Sequence, residues 1–337
     1  MESLYIIEQG STLTRSGDSL KIMKQGTIIK TVPARDLDKL IITGNVSLTG
    51  PVMDYLIKNR VETVFLTATG RFRARLMIDE HKHVALRKAQ YKKLSDPVSS
   101  LVIMKIFVRG KLENMAAFLL RRGRDYKQPR LKSAAAALTT LTASLTNARE
   151  KSVIRGIEGA GARIYFSVFP LLLRTENFSF KGRNRRPPKD PVNALLSFVY
   201  TLLTNEVISA ITTCGLDPYL GALHEISYGR PSLACDLVEE YRCPIGDRFI
   251  LQLLNRKMIG PGDFIYRHSG QKEFTDEKEM AARRPVEMKP RLFRTFLAAY
   301  EELMRGPSAY RSNIREQVRA FAVFLTEPDK IYQPSRL

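Results

Sequence analysis

Along roughly the first quarter of the chain, apolar side chains come in short alternating runs. Beyond about residue 84 they recur at every third or fourth position, almost to the C-terminus. The alternating runs Ser3 to Glu8, Thr12 to Thr14, Ser19 to Met23 and Thr27 to Val32 predict short strands. Turn signals at Gly10, Ser16-Gly17-Asp18 and Gln25-Gly26 separate them. Leu40 to Ile42 and Val61 to Leu66 predict further strands, and Pro51 to Asn59 a short helix capped by Thr49 or Gly50. Thr69-Gly70 then turns the chain into a last strand, Arg71 to Met77. Together these predict a small sandwich or curled sheet with one helix inserted.

The helical pattern begins with a basic stretch, His81 to Lys93, and continues through Pro97 to Arg109, Leu112 to Arg122 and Lys132 to Glu150. The best-marked helix starts at an Asp190 N-cap with Pro191 in its first turn. It carries Val192, Leu195, Leu196, Val199, Leu203, Val207 and Ile211 as its apolar stripe and stops at Gly215. Asp247 to Met258, Pro290 to Arg305 and Tyr310 to Leu325 predict three more helices, the first broken by Gly260-Pro261-Gly262. The fold class is therefore α+β: a small N-terminal β-sandwich-like domain (1–80), a connecting helix (81–95), a larger all-α domain (96–330) and a polar tail (331–337). No internal repeat or low-complexity tract interrupts this order.

Charge changes the picture. Among the 337 residues, 54 Lys and Arg face 34 Asp and Glu, a net charge of +20. Spread over most of the chain, that excess points to a polyanionic partner, nucleic acid before an anionic membrane surface. In the strand after Gly70, period-2 geometry puts Arg71, Arg73 and Arg75 on one face, either solvated or matched to phosphates. Further basic segments are Arg121, Arg122 and Arg124, continuing to Lys127, and the loop Lys181 to Asp190 with Arg183, Arg185 and Arg186. The three cysteines (Cys214, Cys235, Cys243) imply no disulfide framework and lack the C-x-x-C spacing of a zinc site. The N-terminus lacks a signal-peptide layout, and no apolar run reaches membrane-span length, so a cytoplasmic protein is expected.

Candidate chemistry concentrates in Pro218 to Asp247. His224 precedes a Gly229-Arg230-Pro231 turn, after which a helix begins at Pro231. On that helix Asp236, Glu239 and Glu240 stand at i, i+3 and i+4, so like charges crowd one face. A divalent cation would make the arrangement favourable, and so would a Lys or Arg; a solvated acidic face is the plain alternative. Upstream, Glu158 is embedded in Ile154-Arg155-Gly156-Ile157-Glu158-Gly159-Ala160-Gly161, where glycines cost about 1 kcal/mol each against alanine in a helix interior. Their return would be close approach of a backbone or ligand. A buried glutamate there needs a cation: Arg155, Arg163 or a metal.

The chain resembles the integrase-nuclease of CRISPR adaptation, the first-numbered family of CRISPR-associated proteins. The motifs that carry this are Leu86-Arg87-Lys88-Ala89-Gln90-Tyr91 with Lys105, Ile157-Glu158-Gly159, and Arg183 to Leu196 (RNRRPPKDPVNALL). The most specific is Gly215 to Arg242, with Leu216-Asp217-Pro218, His224, Gly229-Arg230-Pro231-Ser232-Leu233, Asp236-Leu237 and Glu239. The resemblance implies a β domain used for homodimer formation and an α-helical catalytic domain. It places the divalent-metal ligands and catalytic residues on Glu158, His224 and Glu239, with Asp236 as a supporting acid. Two carboxylates and an imidazole suit Mg²⁺ or Mn²⁺. The implied activity is metal-dependent insertion of short double-stranded DNA fragments into a CRISPR repeat array. The implied partners are prespacer and repeat DNA and a small ferredoxin-like adaptor of the second-numbered (Cas-two) family; no membrane is implied. A structure-selective metal nuclease and a non-catalytic basic DNA-binding scaffold are the alternatives.

Overall fold

Alternation in the N-terminal part becomes eight strands and one helix. A computed structural model of the chain describes residues 2–68, 70, 72–76, 83–184, 187–266, 286–327 and 329–336. The strands are β1 (Glu2–Ile6), β2 (Ser11–Ser16), β3 (Ser19–Lys24), β4 (Thr27–Pro33), β5 (Leu37–Thr43), β6 (Val46–Leu48), β7 (Glu62–Leu66) and β8 (Phe72–Leu76), with α1 (Gly50–Lys58) before β7. They form two four-stranded sheets, ordered β1-β5-β7-β8 and β4-β3-β2-β6. Leu4, Ile6, Leu40 and Ile42 of the first sheet, Leu13, Leu20 and Ile22 of the second, and Val52 and Leu56 of α1 share one core. This is the expected sandwich with its inserted helix. The short β6, which pairs in parallel with β2, is too brief to show in the sequence pattern.

The helical part comprises α2 (Val84–Ser95), α3 (Pro97–Asp125), α4 (Pro129–Ser144), α5 (Lys151–Val168), α6 (Pro191–Cys214), α7 (Ser232–Leu237), α8 (Glu239–Tyr241), α9 (Arg248–Asn255), α10 (Pro290–Arg305) and α11 (Tyr310–Thr326). Between α9 and α10 a two-stranded ribbon pairs β9 (Phe264–Tyr266) with β10 (Val286–Met288). The two stretches expected at Pro97 to Arg109 and Leu112 to Arg122 are one helix of 29 residues, running unbroken through Gly110. That glycine makes room for a neighbour: a Cβ there would lie 2.3 Å from Pro334 Cβ.

α6 begins and ends as its sequence predicts. Asp190 accepts a hydrogen bond from the Asn193 amide at 2.9 Å, and Gly215 closes the helix in the left-handed region at φ 89°. Contrary to the expectation that no run reaches span length, α6 is long and apolar enough to cross a membrane by composition, with a mean hydropathy of 1.5. Here it is a core helix, with 72% of that window buried in the protein. The described part of the expected polar tail, 331–336, also departs from expectation. Tyr332 and Ser335 are buried, so this polar tail is in fact a strap packed against α3 and α11. Its sequence misled because one aromatic, Tyr332, packs against Phe107 and Phe321 with ring centroids 6.1 and 5.2 Å away.

Buried ions join the two halves. Lys39 of β5 lies 3.5 Å from Glu62 and 3.3 Å from Glu206 of α6. Arg311 of α11 pairs with Glu206 at 2.8 Å and Glu301 of α10 at 2.7 Å, and Tyr5 Oη donates to Glu301 at 3.0 Å. Burial pushes the Glu206 carboxyl up, but Lys39 and Arg311 outweigh it and hold it at about 2. Such a network adds little net stability over an apolar contact, yet it admits only one arrangement of sheet against helices.

Candidate active site

Four elements supply the candidate residues. α5 supplies Glu158, the loop after α6 supplies His224, α8 supplies Glu239, and α3 supplies a residue that the sequence did not single out, Lys111. Its ammonium contacts Glu158 Oε1 and lies 2.7 Å from Glu239 Oε2. The Glu239 oxygen sits off the direction of a hydrogen bond, so that pairing is ionic. The other oxygen of Glu239 is 2.9 Å from Arg242 NH1. Burial alone would push the Glu239 carboxyl up. Arg242 and Lys111 outweigh burial, with a smaller contribution from His224, and bring it to about 2. Glu239 is therefore a carboxylate despite being 2% exposed.

The cation that Glu158 requires is thus Lys111, neither Arg155 nor a partner on α5 itself. Arg155 instead donates to Leu223 O at 3.1 Å and to Glu225 at 2.5 Å, tying the His224 loop to α5 one turn before Glu158. Nothing in the sequence marks Lys111 beyond the general need of a buried glutamate for a counter-ion. The glycines around Glu158 divide in role. A Cβ at Gly161 would lie 2.2 Å from Leu112 Cδ2, where α5 crosses α3, whereas at Gly156 and Gly159 no protein atom lies within 4 Å.

Asp236 shapes the histidine loop. Fully buried, it accepts hydrogen bonds from the amides of Ala222 (2.6 Å), Leu223 (2.9 Å) and His224 (2.9 Å), and lies 2.7 Å from His224 Nδ1. A carboxylate only accepts, so Nδ1 carries a proton, and in the neutral ring Nε2 holds the lone pair. Such a partner on the second ring nitrogen is what orients an imidazole where it binds a metal. Gly221 is required beside it: a Cβ there would come within 2.5 Å of Asp236 Oδ2 and 2.7 Å of the Ser232 backbone.

The three acids of the 236–240 segment do not share one face, contrary to the helical-wheel expectation. The backbone stays helical through Val238 (φ −65°, ψ −19°) and passes into a π-helical turn only at Arg242–Asp247, so the acids part by where their side chains reach. Asp236 goes to the histidine and Glu239 to Lys111 and Arg242. Glu240 goes to the C-terminal strap, accepting from Tyr332 Oη (2.7 Å) and the Ser335 amide (2.9 Å). Asn114 clasps the strap to the same backbone, donating to Glu240 O and Ser335 O, each at 2.9 Å.

Glu158 and Glu239 thus meet, with His224 alongside. No three of the described His, Cys, Asp and Glu side chains already stand in coordinating positions around a single point. The donor set nonetheless fits a hard divalent ion. Two carboxylates already share a cation, an imidazole nitrogen is free, and each ligand is held from behind.

The predicted phosphate contacts fall in several places. Arg71, Arg185 and Arg186 lie outside the described residues. Arg73, Arg121, Arg124 and Arg230 are exposed. Arg75 is drawn inward to Glu62 at 3.6 Å and donates to Asn205 O at 3.3 Å. Arg122 pairs with Asp125 at 3.1 Å, and Arg183 braces the loop before α6 through Asn193 (2.7 Å) and Ser197 (3.0 Å). Between β8 and α6 lies a cleft of about 1250 Å³. Arg60, Arg75, Arg87, Arg183 and Arg242 all line it, so its wall is continuous with the residue that holds Glu239.

The family model described as CRISPR associated protein Cas1 matches residues 4–301. A CRISPR-associated endonuclease Cas1 of Chlorobaculum tepidum is 37% identical over 283 residues, covering 82% of both chains. A second, from Thermus thermophilus, is 33% identical and covers 98% of this chain and 96% of its own. In fold, a Cas1 protein from Thermotoga maritima superposes with a TM-score of 0.81 at 26% identity, covering 97% of each chain. By sequence along nearly its whole length, and by fold, the chain belongs to the Cas1 family of CRISPR-associated proteins.

Proposed function

We propose that the chain is a metal-dependent DNA integrase and endonuclease that inserts short DNA fragments into a CRISPR array. The observation that carries this reading is the meeting of Glu158 and Glu239 on one cation beside His224, whose Nδ1 is locked by Asp236. Mg²⁺ or Mn²⁺ held by Glu158, Glu239 and His224 Nε2 would polarise a phosphodiester and stabilise charge on its leaving oxygen. The chain's own part is to hold the Glu239 carboxylate ionised with Glu158 beside it, keep the imidazole nitrogen open and bring the phosphate in. Arg242 and Lys111 serve the first task, Asp236 the second, and the basic surface with the arginine-lined cleft the third. The attacking oxygen in integration is a DNA 3′-hydroxyl, and in cleavage a water; no side-chain nucleophile takes part.

The reading includes double-stranded prespacer and repeat DNA as substrates. It further includes a homodimer formed through the β domain, the small Cas-two adaptor as partner, and action in the cytoplasm, as suits a relative of named CRISPR-associated endonucleases. A non-catalytic scaffold would have no use for two buried carboxylates converging on one cation. His224→Ala tests the proposal. Strand transfer in a disintegration assay drops by about two orders of magnitude or more. Melting and gel-shift affinity stay near wild type, because His224 is half-buried at the rim and the basic residues lie elsewhere. Wild-type turnover with unchanged melting overturns the metal-site reading. Lost activity with collapsed stability makes His224 structural instead.

A further inference from the structure

Lys111 is buried and is the only described lysine touching both Glu158 and Glu239, and under the metal reading it serves only to keep a carboxylate charged. Its position is that of the cation the two carboxylates would share. Formal charge around this point is informative. Glu158, Glu239 and Asp236 contribute three negative charges, and Lys111 and Arg242 two positive ones. Arg155 and Glu225 cancel each other. The site therefore carries one surplus negative charge without metal. A divalent ion alone turns that into one surplus positive charge beside the deeply buried Glu239 and Arg242, where an unbalanced charge is costly. One phosphodiester entering with the ion brings the total to zero.

We propose that Lys111 is the site's resident counter-ion and that it makes metal loading depend on DNA. It holds Glu158 and Glu239 together before loading, competes with a divalent ion for them, and yields when a substrate phosphate restores the charge balance. The inference rests on the metal-site reading and adds a coupling between two ligands, which must be reciprocal. The fold supports a short displacement over a long one. The Lys111 backbone is fixed by Pro334 packed on Gly110 and by Asn114 clasped to the strap, so only the ammonium end can move. Displaced from the carboxylates, it remains beside the incoming phosphate as a donor to the same oxyanion.

A merely structural lysine, once removed, should weaken metal binding by loosening the ligands. A competing counter-ion, once removed, should tighten it. Mn²⁺ binding to the full-length protein, followed by electron paramagnetic resonance with and without a duplex oligonucleotide, reads this directly. Lys111→Met binds Mn²⁺ without DNA at least about tenfold more tightly than wild type. DNA then improves its Mn²⁺ affinity less than it improves that of wild type. Lys111→Arg, which keeps the charge, stays as weak as wild type without DNA. In chelator Lys111→Met melts lower than wild type, and Mn²⁺ restores it by the larger margin. Lys111→Gln repeats the measurement with a neutral side chain that retains a donor, should Lys111→Met fail to fold. Unchanged or weaker Mn²⁺ binding in the neutral variants overturns the proposal. Glu158→Gln separates the two readings: if it leaves the bound Mn²⁺ signal of wild type with DNA untouched, the metal site itself is misplaced.

Discussion

Asp236 gives the sharpest link between stability and chemistry. Its carboxylate accepts three backbone amides and faces the imidazole N–H, all within 2.6–2.9 Å and all out of water. Each hydrogen bond to a charged acceptor contributes roughly 1.5–3 kcal/mol, and each buried amide left without an acceptor costs about 1–3 kcal/mol. Asp236→Ala removes the acceptor from all of them. Relief of the buried charge and water entry past the half-exposed His224 offset part of the loss. We expect a net destabilisation of about 3–5 kcal/mol, measured as a lower guanidinium midpoint at unchanged slope. Asp236→Asn separates folding from tautomer. One amide oxygen can still serve Ala222 and Leu223, so the loss should be about half as large. The amide nitrogen, however, would face Nδ1 and draw the proton to Nε2, closing the lone pair needed for a metal. Mn²⁺ affinity should then fall about 10–100-fold although the protein remains folded. An Asp236→Ala midpoint equal to wild type refutes the clasp. A folded Asp236→Asn variant with wild-type Mn²⁺ affinity refutes the tautomer argument.

Two further outcomes follow from other buried groups. Tyr332→Ala leaves Glu240 short of a donor and opens a void beside Phe107 and Phe321; it should cost about 3–5 kcal/mol in a chemical melt, and a loss below about 1 kcal/mol would mean the strap is not structural. Asp247 is pushed up to about 7 by burial, against the hydroxyls of Tyr200 (2.5 Å) and Tyr165 (2.9 Å). Because the folded state holds this proton more tightly than the unfolded chain does, its contribution declines as pH rises from about 4 to 7 and is level above. Asp247→Asn, around which both hydroxyls can turn, should therefore flatten that decline and gain about 1–3 kcal/mol on wild type at pH 8. Parallel midpoint-versus-pH curves for the two proteins would contradict this.

Much of this molecule is legible from residue pattern. The change from period 2 to period 3.6 marks the boundary between sheet and helices, and Asp190, Pro191 and Gly215 bound α6 because capping chemistry is local. Glu158, His224 and Asp236 stand out because each is a charged or polar residue in surroundings that demand a partner. Lys111 does not, since a lysine on a helix looks the same whether its ammonium reaches water or a carboxylate 47 residues away. The strap was invisible for a similar reason: its burial depends on one ring and two backbone groups. Neither the cleft nor the Lys39–Glu206–Arg311 network has a local signature, because each is assembled from elements far apart in the chain.

The acidic segment shows why a helical wheel fails here. In a regular helix Asp236, Glu239 and Glu240 would lie together, and their mutual repulsion would raise the cost of burying any of them. Here the backbone stays helical through Val238 (φ −65°, ψ −19°), yet the side chains reach different neighbours, so each meets its own donors or cations. The strap's tyrosine hydroxyl and amide suffice for Glu240, whose carboxyl burial pushes up to about 7. Glu239 faces Lys111 and Arg242 and is driven to about 2. Two adjacent glutamates in one chain segment are therefore shifted in opposite directions. The one with the low value is the one that faces Glu158. Side-chain surroundings thus leave one member of a glutamate pair ionised beside Lys111 and make the other a structural anchor for the strap.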